Sequence, residues 1–407
     1  MGVRSCATQG DMPRFKPFAG LRYSSSLRLD DCICPPYDIV GPEERERLGL
    51  LSESNAIHVE LPAEDPERGL DRYQAAARTL AAWRAGGVLE LDGEPSFYVL
   101  RMTLPDGTTT RGVIGALGCE APGGEVLPHE ETIPKDKSDR LDLLRACRSN
   151  LSPIWGLSLA SGLAKLCLTD DPPQARAVDS DGVIHELWQV SDPSQIQSIS
   201  STVAGSPVVI ADGHHRYETA LAYQAECGPG GPDPAGADHV MAFVVELSAD
   251  ELSVRPIHRA LHGLAPGLDA SGGFEELFSV ARCGPGDDAS IERSMASGGL
   301  TLLSASTTWS LVPRPDAPAK AGSDLDSSIV ARAVESIPGA FTSHHHSVEA
   351  AVAAVRTGEA DAAVLLRPVT VDQIALWARD RRRMPPKTTY FYPKPATGMV
   401  FRSLDEA

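Results

Sequence analysis

The chain has 407 residues, 42% of them hydrophobic and 5% aromatic, with 32 prolines and 36 glycines. That length exceeds one ordinary core, so about two or three domains are expected, rich in turns rather than long helical bundles. With 37 basic against 55 acidic residues the formal net charge is −18, which repels phosphate backbones; the one basic run, Arg379 and Arg381 to Arg383, reads as a solvated helix end, and no nucleic-acid partner is expected.

The eight cysteines stand at 6, 32, 34, 119, 147, 167, 227 and 283, without a CxxC pair. This is reduced, cytosolic usage rather than a disulfide frame or a zinc site. The N-terminus is charged at Arg4 and carries no apolar leader, and no run approaches the roughly 18 apolar residues of a membrane span. A cytoplasmic protein without a membrane partner is the expectation.

In chain order, Phe15 to Tyr23 mixes aromatics with turn residues, and Cys34-Pro35-Pro36-Tyr37-Asp38 is a stiff extended turn. Leu70, Tyr73, Ala77 and Leu80 recur at helical spacing, with Trp83 beside them and Gly86-Gly87 as the stop. Phe97 to Thr103 and Thr109 to Leu117 are predicted strands joined by the hairpin signal Asp106-Gly107. Residues 1–119 therefore read as an N-terminal α+β domain.

The stretch 120–250 reads as the core. A helix is expected around Arg140 to Cys147, a strand after Ser152 to Leu157, another over Gly182 to Gln189, and a short buried strand at Pro207 to Ile210. That strand runs into Asp212-Gly213 and the helical pattern Tyr217 to Glu226. Cys227 to Asp238 reads as a loop, and Val240 to Leu247 as an apolar strand. The remaining 251–407 form a C-terminal α/β region, with loops near 284–289 and 313–325, a helix Val348 to Val355 leading to a strand Ala362 to Leu366, and a closing segment 384–394.

The sharpest feature is the strand-to-helix junction Asp212-Gly213-His214-His215-Arg216. Gly213 permits backbone angles other residues avoid and lets a ligand approach the chain. The helix start offers free N–H groups and the positive end of its dipole, which suits an anion. Arg216 is the natural clamp for a phosphate oxygen, and Asp212 the candidate ligand for magnesium beside it. The plainer alternative is an ordinary helix cap, with Asp212 capping and the histidines partly exposed.

Three further segments bear on chemistry. Leu127-Pro128-His129-Glu130-Glu131 brings acid and base groups together, one of which can act as a general base, and Lys135, Lys137 and Arg140 come next; a solvated charged turn is the alternative. Met384 to Lys394 packs two lysines and three aromatics among prolines and reads as neither helix nor alternating strand. It is either an aromatic latch or a binding loop, in which Lys387 and Tyr390 are candidate substrate or phosphate contacts. His344-His345-His346 reads as a solvated turn, because consecutive side chains on a regular element cannot all face one ion. Gly-x-Gly-x-x-Gly, the P-loop and Gly-x-Ser-x-Gly are absent.

At Asp212 to Ala220 the chain reads D-G-H-H-R-Y-E-T-A. In this it resembles a large prokaryotic family of uncharacterised proteins with that signature, related to the archaeal free-serine kinases and, more distantly, to the ParB/sulfiredoxin superfamily. Pro17 to Tyr23, Pro35 to Asp38, Pro128 to Thr132, Asp139 to Leu141, Asn150 to Ile154 and Met384 to Lys394 resemble the family's other stretches, in order.

The resemblance implies an α+β fold with a ParB/sulfiredoxin-like core flanked by N-terminal and C-terminal α+β regions. It also implies a nucleotide-dependent kinase acting on a small hydroxyl compound, free serine first, with ATP or ADP as phosphoryl donor and magnesium as cofactor. Carried over, Glu130 takes the hydroxyl proton, Asp212 orients that hydroxyl or the metal, and His214, His215 and Arg216 hold the phosphoryl group, with Gly213 at the phosphate turn; His129 is a further contact. Where sulfiredoxins carry a catalytic cysteine this chain has His214, which disfavours thiol repair. No basic helix-turn-helix of the ParB kind is present. A non-catalytic nucleotide-binding switch and a phosphoester hydrolase are the alternatives.

Overall fold

The protein is described by a computed structural model covering residues 12–121, 123–130, 138–228, 234–265 and 269–405. Glu131, Lys135, Lys137 and the middle of the 227–238 loop lie outside the described residues. The chain is a mixed α+β protein with several sheets, and it divides into two compact units. The first comprises 1–253, 378–381 and 393–407; the second comprises 254–377 and 382–392.

Among the described residues the first unit is built on a nine-stranded mixed sheet. Its middle is the strand His239–Glu246, buried over seven of eight positions, as expected of an apolar run covered on both faces. This strand pairs antiparallel with Thr109–Gly118 and parallel with Ile154–Ser158. Beyond Ile154–Ser158 lies Val208–Asp212, antiparallel to it, and then Val126–Pro128, parallel to Val208–Ile210. The expected boundary near 119 thus falls between strands of one sheet: Phe97–Thr103 and Thr109–Gly118 are hydrogen-bonded into the same layer as the strands after 126.

Helices cover the sheet. Ile199 and Val203 of the helix Pro193–Ala204 and Tyr217 and Ala220 of the helix His214–Cys227 enter one core with Val208, Ile210 and Ile154. Each isoleucine and valine among them contributes roughly 1.5–3 kcal/mol by leaving water. The predicted helix near Leu70 runs Arg72–Ala85; Asp71 caps it in a reciprocal box with Gln74, and Gly86 ends it. A smaller sheet pairs Gly20–Tyr23 with Leu89–Leu91 and with Phe401–Ser403, which also pairs with Ser149–Asn150. Buried Arg402 fastens this last stretch by donating to Asn150 Oδ1 and to the carbonyls of His239 and Gly236.

The second unit holds a six-stranded antiparallel sheet with its own core around Phe274, Phe278, Leu302 and Ile329. Three expectations are corrected here. His344 and His345 lie not in a turn but in the strand Phe341–His345, paired with His258–His262; the mixed side chains of this edge strand left no clear apolar signal. The closing segment contains a strand, Tyr390–Tyr392, in place of continuous loop. The expected loop 313–325 also carries a short helix, Ala317–Ala321.

All described cysteines are free, and all but Cys283 are buried. No helix among the described residues is long and apolar enough to cross a membrane.

Candidate active site

The strand Val208–Asp212 ends in an irregularity between Ile210 and Asp212. Gly213 comes next in the left-handed region, at φ 86°, and is the N-cap residue of the helix His214–Cys227 with no side chain capping it. Gly213 itself offers no side chain to the first N–H groups of that helix, which open at the turn. Asp212 does not cap, which sets aside the plain capping alternative. A Cβ on residue 213 would stand 3.0 Å from Arg216 Nε and 3.1 Å from Ile154 Cγ2, so glycine is required there by space as well as by angle.

Parallel pairing of Val126–Pro128 with Val208–Ile210 delivers His129 and Glu130 to the same end of the sheet. His129 is buried, and its Nδ1 lies 2.6 Å from the Ile210 carbonyl oxygen. A carbonyl can only accept, so Nδ1 carries the proton and donates. Nε2 then faces Glu130 Oε2 at 3.7 Å. Burial, only partly offset by Glu130, pushes the imidazole pKa below its ordinary value and keeps it neutral. The His129 ring lies 5.1 Å from that of His214. His215 Nδ1 is 3.7 Å from Glu218 Oε2. His215 Nδ1 and Arg216 Nε are buried donors or acceptors that find no hydrogen-bond partner among the described residues.

Arg216 is mostly committed. Nη2 donates to Asp212 Oδ2 at 2.8 Å, and Nη1 donates to the Pro153 carbonyl and to Ser152 Oγ. Ser152 in turn donates to Glu60 Oε1 at 2.9 Å. Behind Arg216 a cavity of about 60 Å³ is bordered by Tyr37, Glu60, Arg140 and Thr219, with the Arg140 guanidinium 4.3 Å above the Tyr37 ring.

The other oxygen of Asp212 meets Lys394 Nζ at 2.8 Å, and the same Nζ is 2.6 Å from Asp38 Oδ2. Burial works against the charge on Asp212, but Lys394 and then Arg216 outweigh it and hold the carboxyl down at about 2. Lys394 is likewise buried against its charge, and Asp212 and Asp38 raise its pKa above the ordinary lysine value.

Of the residues picked out in the sequence, His129, Glu130, Asp212, Gly213, His214, His215 and Arg216 come together here. Lys387 and Tyr390 belong to the second unit: the Lys387 carbonyl accepts from Arg259 Nη2 at 2.8 Å, and the Tyr390 ring lies 4.4 Å from that of His346. Lys394, Asp38, Ser152 and Glu60 are site residues that the sequence did not single out. For Asp38, Ser152 and Lys394 the only signal was their presence in the segments Pro35 to Asp38, Asn150 to Ile154 and Met384 to Lys394; Glu60 lies outside all three.

Magnesium on Asp212 does not fit this arrangement. Each Asp212 oxygen already takes a cation, and no group of three or more candidate metal ligands occurs among the described residues.

The fold and this turn define an α+β protein whose first unit carries a buried polar site at a helix start. Residues 15–332 match the family described as "Protein of unknown function (DUF1015)", and the chain belongs to that family. No curated protein matches it. Among solved structures it is similar to a free serine kinase in complex with AMP, at 13% identity and TM-score 0.38, over 69% of this chain and 90% of that one. It is similar also to a conserved hypothetical protein from Pyrococcus furiosus, at 13% and 0.36 over 69% and 93%, and to SbnI with C-terminal truncation from Staphylococcus aureus, at 12% and 0.37 over 70% and 86%.

Proposed function

We propose that the protein is a nucleotide-dependent phosphotransferase that acts on the hydroxyl of a small molecule, with free serine the first candidate acceptor and ATP or ADP the donor. The observation that carries this is the approach of His129 to His214, rings 5.1 Å apart, which joins the Glu130 segment and the uncapped helix start in one site. The resemblance of both segments to those of free-serine kinases supports the same reading. The catalytic core is taken as residues 120–250, ParB/sulfiredoxin-like, together with the strands Phe97–Thr103 and Thr109–Gly118 that complete its sheet.

In this reading the nucleotide's phosphates lie against the N–H groups at Gly213 and His214, with His214 and His215 beside them. Glu130 takes the proton from the acceptor hydroxyl. The freed oxygen forms the new bond to phosphorus, and the bond from phosphorus to the bridging oxygen breaks, the electron pair leaving with the nucleotide. Asp212 and Arg216 form the brace that sets the turn. No step is assigned to a metal on Asp212, and Lys387 and Tyr390 remain proposed contacts of the closing segment.

The test is incubation of the purified full chain with ATP or ADP and magnesium, with serine and close hydroxyl analogues, read by mass of the acceptor. A product heavier by one phosphoryl group supports the proposal. Phosphate release without any acceptor indicates a hydrolase instead, and nucleotide binding without turnover indicates a switch.

A further inference from the structure

Lys394 is buried at the meeting point of two carboxylates. Asp38 Oδ2 and Asp212 Oδ1 approach its Nζ to 2.6 and 2.8 Å. Asp38 and Lys394 come from opposite ends of the chain, 356 residues apart, and Asp212 from its middle. The convergence is built rather than incidental. Cys34 and Thr397 exchange backbone hydrogen bonds of 3.0 and 2.8 Å beside it, and the strand Phe401–Ser403, with buried Arg402, anchors the chain just beyond.

Two carboxylates aimed at one point are what a divalent cation seeks, through oxygens at roughly 2.0–2.6 Å. Here that point holds an ammonium, and like charges in a poorly solvated position exclude one another. An ammonium also carries three donors. Two are directed at Asp38 and Asp212, which leaves one.

We propose that Lys394 stands in for a metal ion in this site: its ammonium joins Asp38 to Asp212 where a divalent cation would otherwise sit, and its third N–H meets a phosphate oxygen at the turn. The phosphate clause rests on the function proposed above; the replacement of the metal does not.

The experiment is Mn2+ binding to the full chain without nucleotide, monitored by electron paramagnetic resonance. It compares the wild type, Asp212→Asn, Lys394→Arg, Lys394→Met and the double variant Lys394→Met with Asp212→Asn, each checked for folding by circular dichroism. The proposal expects no site-bound Mn2+ in the wild type, Asp212→Asn or Lys394→Arg, one Mn2+ gained in Lys394→Met, and its loss in the double variant. Mn2+ held by the wild type and released by Asp212→Asn overturns it, as does a folded Lys394→Met that gains none. Should Lys394→Met not fold, the wild type and Asp212→Asn decide alone: equal absence of binding supports the proposal, and a difference between them overturns it. In a second arm, ADP is titrated in the presence of EDTA. Weaker binding to Lys394→Met than to Lys394→Arg supports the phosphate clause, and equal binding overturns it. Absence of ADP binding in the wild type counts against the proposed function and leaves the Mn2+ outcome standing.

Discussion

Asp212 Oδ2 accepts from Arg216 Nη2 at 2.8 Å, one helical turn further on, while its other oxygen meets Lys394. A carboxylate between two cations at the mouth of a helix is a fixed strut. It ties the end of the strand Val208–Asp212 to the first turn of the helix and to Lys394.

This strut makes a pH prediction. In the folded chain Asp212 ionises at about 2, against about 3.9 for an unfolded aspartate. Its folded pKa is depressed, so its contribution is complete above about pH 4 and is lost as pH falls toward 2. Asp212→Asn should be less stable than the wild type by on the order of 1–3 kcal/mol at neutral pH, a value reduced from that of a fully buried pair because water reaches the site. The gap should close between about pH 4 and 2. Denaturant unfolding of both proteins across pH measures it; a gap that stays constant to pH 2 would contradict the strut.

Gly213→Ala tests the turn itself. The residue sits at φ 86°, and a methyl group would press on Arg216 and Ile154 at 3.0 and 3.1 Å. A left-handed alanine costs roughly 1–2 kcal/mol before any such contact. We expect a lower denaturation midpoint together with weaker nucleotide binding. Unchanged nucleotide affinity in a folded variant would remove the turn from the binding site.

Glu130→Gln separates catalysis from binding. The substitution keeps the side chain's size and removes its ability to take a proton. Turnover should fall by roughly 10²–10⁴-fold, the usual worth of a general base, with nucleotide affinity retained. A loss of affinity with turnover per bound nucleotide intact would assign Glu130 to binding instead.

Much of this site was legible in the sequence, and the reasons are local. The apolar run Val208 to Ile210, the glycine after Asp212 and the helical pattern beyond it are short-range signals, and the strand, the left-handed turn and the helix all appear where they point. The Glu130 segment stands out in the sequence by its acid and base groups, although its place beside the turn depends on parallel strand pairing. Lys394 was not legible as a site residue. Its role exists only because Cys34 and Thr397 pair and the chain returns to the first unit after the second. The setting of Asp212 is hidden for the same reason: a capping residue, a magnesium ligand and a strut have the same local sequence, and Lys394 lies far along the chain. The strand through His344 and His345 was hidden too, since an edge strand of mixed side chains carries no clean alternation.

The proposed function requires nucleotide phosphates to bind at the Gly213 turn. Calorimetric titration of the full chain with ATP, ADP and CTP in the presence of magnesium tests it most directly, wild type against Asp212→Ala and Arg216→Ala. Binding of at least one nucleotide by the wild type is expected, with its loss in both folded variants. No binding of any of the three by the wild type, or binding that survives both substitutions, would contradict it.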